Sequence, residues 1–158
     1  MNKKELLDEL QVKFEETKEQ LGFNSTFEEI ESIYYIKDFV LTSGFLSERF
    51  DRMLCARIRD TLHSWISHFH SVIMPNPSSI FNMTENSAFN DDERKEIDLL
   101  MHKFMAFVSK NIVIGINNKV KEQGEFIDEG VKIWKDNLPA LNKFSVKIQE
   151  NWEKNSKQ

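Results

Sequence analysis

Between residues 47 and 73 the apolar side chains fall at Phe50, Met53, Leu54, Ile58, Leu62, Trp65, Ile66, Phe69, Val72 and Ile73. Steps of three and four, held for about seven turns, specify one long amphipathic helix, because a 3.6-residue period keeps those positions on one face. Such a helix must cover its stripe with several neighbours, which points to an all-α bundle packed around it. Five glycines and three prolines in 158 residues leave few turn formers for an all-β chain. That length suits one ordinary domain with a real core. The expectation is a single bundle of five or six helices over residues 1–158.

The remaining helices are read from caps and periodicity. Residues 2–21 form a first helix with a thin stripe of Leu7, Leu10, Phe14 and Leu21 in a charged background, stopped at Gly22. That thin stripe is expected to pack on the rest of the bundle in the ordinary way, with service to a partner or a second copy as the alternative. Ser25 with Glu28 fits a capping box for a second helix reaching about Leu41. Ser47 is placed to cap the long helix, and Pro75 and Pro77 stop it. Residues 75–89 read as a long loop carrying Ile80, Phe81, Met83 and Phe89, packed back on the body as a structured cap or, as the alternative, serving as a binding element. Asn90 with Glu93 starts a fourth helix, whose end at 111–117 is read as buried and stopped at Gly115 or Asn117. A fifth helix spans 118–135, and Pro139 opens a sixth as its first residue. The tail 154–158 is expected to fray.

The formal net charge is −5, with acids and bases interspersed. No basic face dominates, so duplex nucleic acid and anionic membrane are not expected partners. The charged start has no apolar h-region, and no apolar run reaches the ~20 residues of a membrane span. A single cysteine, Cys55, forms no internal disulfide and sits near the apolar stripe as a small core residue. The expected location is the cytoplasm.

Chemistry concentrates on one border of the long helix. Arg52, Arg59, His63 and His70 point within about 40° of one another at 100° per residue. An arginine one turn from a histidine pairs an anion holder with a group that titrates near neutrality. Arg57, Arg59 and His63 are the candidate catalytic residues. The Arg57–His63 spacing resembles the motif of the HEPN family of helical-bundle ribonucleases, an arginine followed after four to six residues by a histidine. That family often has a polar residue directly after the arginine, and its motif usually lies late in the bundle. Here Ile58 follows Arg57. Arg59 is followed by the polar Asp60 but stands one residue too close to His63, and roughly 90 residues follow the pair. The resemblance implies a metal-independent ribonuclease, whose arginine and histidine would meet in a cleft across a dimer axis.

Other chemistries find less support. Phosphate loops, Rossmann glycines, nucleophile elbows and paired zinc cysteines are absent. The histidines His63, His68, His70 and His102 lack the repeated Glu-x-x-His of di-metal bundles, although Asp60 precedes His63 by three and Asp98 precedes His102 by four. No metal or cofactor is therefore expected. Phe81, Met83, Phe89, Trp65, Trp134 and Trp152 are the residues from which an apolar ligand pocket would be built, as in a sensor or carrier. A well-patterned bundle without a catalytic signature reads first as a non-enzymatic protein–protein interaction or scaffold module. It is expected to pair with a protein partner or with itself as a homodimer. The HEPN-like ribonuclease and the apolar-ligand carrier stand as alternatives.

Overall fold

A computed structural model describes residues 2–157, which form seven helices and no strand. They are α1 (Lys3–Leu21), α2 (Phe27–Tyr34), α3 (Ile36–Ser43), α4 (Phe50–Ile73), α5 (Ile80–Ser87), α6 (Asp91–Asn117) and α7 (Val120–Ser156). The all-α class implied by the hydrophobic period is the one adopted. The chain divides into two compact units. The first comprises residues up to Thr61 together with Phe107–Trp134. The second comprises Leu62–Ala106 together with the chain from Lys135 onward. Helices α4, α6 and α7 contribute to both.

In the first unit, α1 opens with a capping box in which Asn2 and Glu5 each accept the other's backbone N–H at 2.9 Å. It ends at Gly22, whose φ of 70° a side chain would resist. The chain then turns back, so Phe23 and Phe27 meet Phe14 edge-on at 5.6 and 5.1 Å. Leu6, Leu10 and Phe14 are buried, Leu7 is half-buried, and α1 packs on α3. The α1 stripe therefore packs as core rather than serving a partner, because the Gly22 turn brings covering aromatics from its own chain.

The expected second helix is two helices. Thr26, rather than Ser25, caps α2 in a reciprocal box with Glu29. Tyr35 then takes a left-handed φ of 52° and breaks the helix before α3. The break leaves Tyr34 fully buried and its hydroxyl donating to the Gly130 carbonyl at 2.6 Å. Helix α4 starts three residues after Ser47, whose hydroxyl instead accepts the Arg49 N–H at 3.2 Å. Gly124 and Gly130 permit close packing. A Cβ on Gly130 would lie 2.8 Å from Ile58 Cγ2, and one on Gly124 would meet the Leu21 carbonyl oxygen. Phe107 and Phe126 stack at 4.4 Å beside them.

In the second unit Leu62, Ile66, Phe69 and Val72 of α4 are buried, together with Phe89, Phe104, Leu141 and Phe144. Phe144 meets Phe69 edge-on and stacks on Phe89, both at 5.2 Å. The 75–89 segment is not a plain loop, because it folds α5. Eight residues are too few for a helical period to stand out, and α5 buries none of its own side chains. Side chains distant in sequence hold it instead. Asn151 donates to the Thr84 carbonyl at 2.8 Å, and Trp152 Nε1 donates to Glu85 at 3.2 Å. Asn86 of α5 donates to the Val72 carbonyl at 2.6 Å.

The last two expected helices are one, because α7 continues through Pro139. An interior proline costs about 3 kcal/mol. Burial of Phe126, Ile127 and Val131 before it, and of Leu141, Phe144 and Ile148 after it, offsets that cost. At its end the helix runs to Ser156, and Asn155 donates to the Asn151 carbonyl at 2.7 Å. Gln158 lies outside the described residues.

Candidate functional site

The three arginines proposed from sequence lie in the first unit, and the histidines His63 and His70 in the second. Arg57 serves the fold: its Nε donates to the Tyr34 carbonyl at 2.7 Å, and its guanidinium lies 5.6 Å over the Phe39 ring. That carbonyl is at the α2–α3 break, where a helix end leaves acceptors unfilled. Arg59 donates to Asp60 at 2.9 Å and to Asn111 of α6 at 3.4 Å. His63 is exposed and makes no hydrogen bond or ion pair among the described residues, and His70 is exposed. Cys55 is buried, and burial pushes its thiol up to about 12 with the Asp51 carboxylate acting in the same direction. Such a thiol is a core group, not a nucleophile.

Two further histidines have local partners. His68 meets Glu85 at 3.0 Å, and His102 meets the Asp98 backbone carbonyl at 2.8 Å. Among the described residues no three His, Cys, Asp or Glu side chains come together as a metal site. The aromatic residues are dispersed. Trp134 lies by Tyr34, Trp65 by Phe69, and Phe81 against Trp152, while Met83 is exposed. Of the six, only Phe89 lines the cavity beside Phe144, Ile97 and Leu100. Its volume of about 50 Å³ is far below the ~300 Å³ of a typical ligand pocket.

The last turns of α6 expose three aliphatic side chains in the first unit. Ile112, Val113 and Ile116 are 59%, 51% and 77% exposed, while Ile114 is buried. The 111–117 segment is thus not the buried helix end expected from its apolar run. Positions i, i+1 and i+4 form one ridge, and a Cβ on Gly115 would meet nothing within 4 Å. A groove of about 410 Å³ flanks the ridge on the α4 side, with Arg52 and Arg59 on its wall beside Asn111. Its lining includes the buried Gln123, whose side-chain carbonyl has no partner. A second groove of about 320 Å³ flanks the ridge on the α7 side, walled by Glu122, Glu125 and Glu129. There Lys110 of α6 pairs with Glu129 at 2.7 Å and Lys119 pairs with Glu122 at 3.3 Å, so the carboxylates of the wall still outnumber its one lining lysine. The ridge therefore has one basic and one acidic flank. The sequence signal for it was present: Ile112-Val113-Ile114-Gly115-Ile116 is apolar on more sides than one helix face can cover.

No family model matches this chain, and no curated protein or solved structure gives a significant match. The ridge must therefore be interpreted from its own chemistry. Helix α6 is long and apolar enough, by length and composition, to cross a membrane: an 18-residue stretch has a mean hydropathy of 1.4, with 28% of it buried. Core helices of soluble proteins also meet that criterion, but they are mostly buried. Among the described residues that stretch of α6 is mostly exposed.

Proposed function

We propose that this chain is a non-enzymatic helical interaction module whose contact surface is the α6 ridge of Ile112, Val113 and Ile116. The observation that carries this reading is the exposure of three large aliphatic side chains on consecutive turns of one helix. Water-exposed aliphatic residues gathered this closely are the usual mark of a surface that another molecule covers. The grooves on either side supply charged flanks, the polar rim common to protein interfaces. Arg57 supports the same reading, since its side chain is occupied in holding the α2–α3 break.

A photo-crosslinking amino acid at position 116 tests this proposal, with exposed Glu19 as the control position. Irradiation in cells is expected to give a discrete adduct from position 116 and none from position 19. The same smear from both positions, or no adduct at either, overturns the reading.

A further inference from the structure

The two flanks of the ridge differ in sign, and that difference selects an occupant. We infer that a second copy of this chain covers the α6 ridge, with a two-fold axis running along it. This inference rests on the interaction reading above and specifies its partner.

A two-fold interface brings the same surface of each copy together. An axis lying along the ridge exchanges its two sides, so the Arg52 and Arg59 flank of each copy meets the Glu122 and Glu125 flank of the other. An axis lying across the ridge would instead set arginines against arginines and carboxylates against carboxylates. Charge therefore selects the first arrangement, with the two α6 ridges running parallel. Ile112, Val113 and Ile116 then pack against their own copies at the centre, and both charged flanks are satisfied twice.

A membrane surface satisfies only half of this pattern. Anionic headgroups would attract the arginine flank and repel Glu122, Glu125 and Glu129 on the other. Neither the apolar ridge nor its exposure decides between a bilayer and a protein, but the acidic flank does.

The test is the solution mass of the purified full chain and of two charge-reversed variants. Light scattering during size exclusion is expected to give wild type twice the 18.7 kDa of one chain. Variant one carries Arg52→Glu and Arg59→Glu, and variant two carries Glu122→Arg and Glu125→Arg. Each alone has two flanks of one sign and is expected to run as a monomer. Mixed in equal amounts, they restore both opposite-sign contacts and are expected to form a 1:1 dimer. Circular dichroism melting of each variant confirms folding. Ile116→Asp, which removes the apolar centre without touching either flank, is expected to be monomeric and is not rescued by mixing.

A wild-type monomer at about 100 µM, a concentration at which weak self-association is populated, overturns the inference. So do charge variants that remain dimeric, a folded mixture that stays monomeric, or a monomeric wild type that sediments with vesicles of anionic lipid. The interaction reading fails separately. A monomeric wild type that still gives a discrete hetero-adduct from position 116 keeps that reading and removes only the second copy.

Discussion

Asp128 of α7 closes the turn between α1 and α2 by accepting the Ser25 hydroxyl at 2.6 Å and the Ser25 backbone N–H at 2.9 Å. The same carboxylate accepts the Asn24 N–H at 2.9 Å, so one side chain satisfies three donors. Replacing Asp128 with Ala leaves those donors without their acceptor. Hydrogen bonds to a charged group contribute about 1.5–3 kcal/mol each, and loss of a shared acceptor is less than additive. Asp128→Ala is expected to lower unfolding free energy by about 2–3 kcal/mol in urea titration, and Ser25→Ala by about 1 kcal/mol. Equal and negligible effects would show that the turn is held by the Phe14 cluster alone.

Gly130 is expected to resist enlargement. An added Cβ would lie 2.8 Å from Ile58 Cγ2, on a β-branched side chain with little rotamer freedom. Gly130→Ala gains helix propensity of about 1 kcal/mol but introduces overpacking of about 1–3 kcal/mol. A net fall in melting temperature is expected. The double variant Gly130→Ala with Ile58→Val keeps Cγ2 and should recover little, whereas Ile58→Ala removes the clash and should make the glycine replacement neutral or favourable.

Stability is expected to fall on the alkaline side. Burial raises both the Cys55 thiol and the Tyr34 phenol above their ordinary values. Above the ordinary thiol value of 9.0 the unfolded chain releases that proton, while the folded chain holds it to about 12. The native state then binds more protons, so the contribution is full below the ordinary value and is lost as pH rises through this window. Urea midpoints measured from neutral to alkaline pH should decline, and Cys55→Ser should flatten part of that decline. At neutral pH an aromatic disulfide reagent should find no reactive thiol in the folded chain and one after denaturation.

Single-stranded RNA is expected to remain intact. With Arg57 bonded to the Tyr34 carbonyl and Arg59 to Asp60, the arginines of the HEPN-like pattern already have protein partners. Labelled RNA incubated without metal should show the same background with wild type and His63→Ala. Cleavage that His63→Ala abolishes would revive the ribonuclease alternative.

Much of the helical framework was legible in the residues themselves. Periodicity located α4, the Asn90–Glu93 pair marked the start of α6, and Gly22 marked the end of α1, because each signal acts within a turn or two of helix. Two boundaries were misplaced for the opposite reason. Tyr35 breaks the second helix where no glycine or proline stands, since Tyr34 gains a buried bond to Gly130, 96 residues away. Pro139 does not begin a helix, because buried apolar residues on both sides hold α7 together through it.

The sequence by itself determined that the chain is helical and where its strongest apolar face lies, because a 3.6-residue repeat can be buried in only one way. Only the tertiary structure decided which apolar residues stay uncovered. Leu10 and Ile116 look alike as letters in a helix, yet Leu10 is closed over and Ile116 is 77% exposed. Burial is set by what arrives from distant parts of the chain. Phe23 and Phe27 return over α1, whereas among the described residues Ile112, Val113 and Ile116 at the end of α6 stay exposed. The charge on either side of that ridge is likewise a property of the fold, because α4 supplies the arginines and α7 the carboxylates.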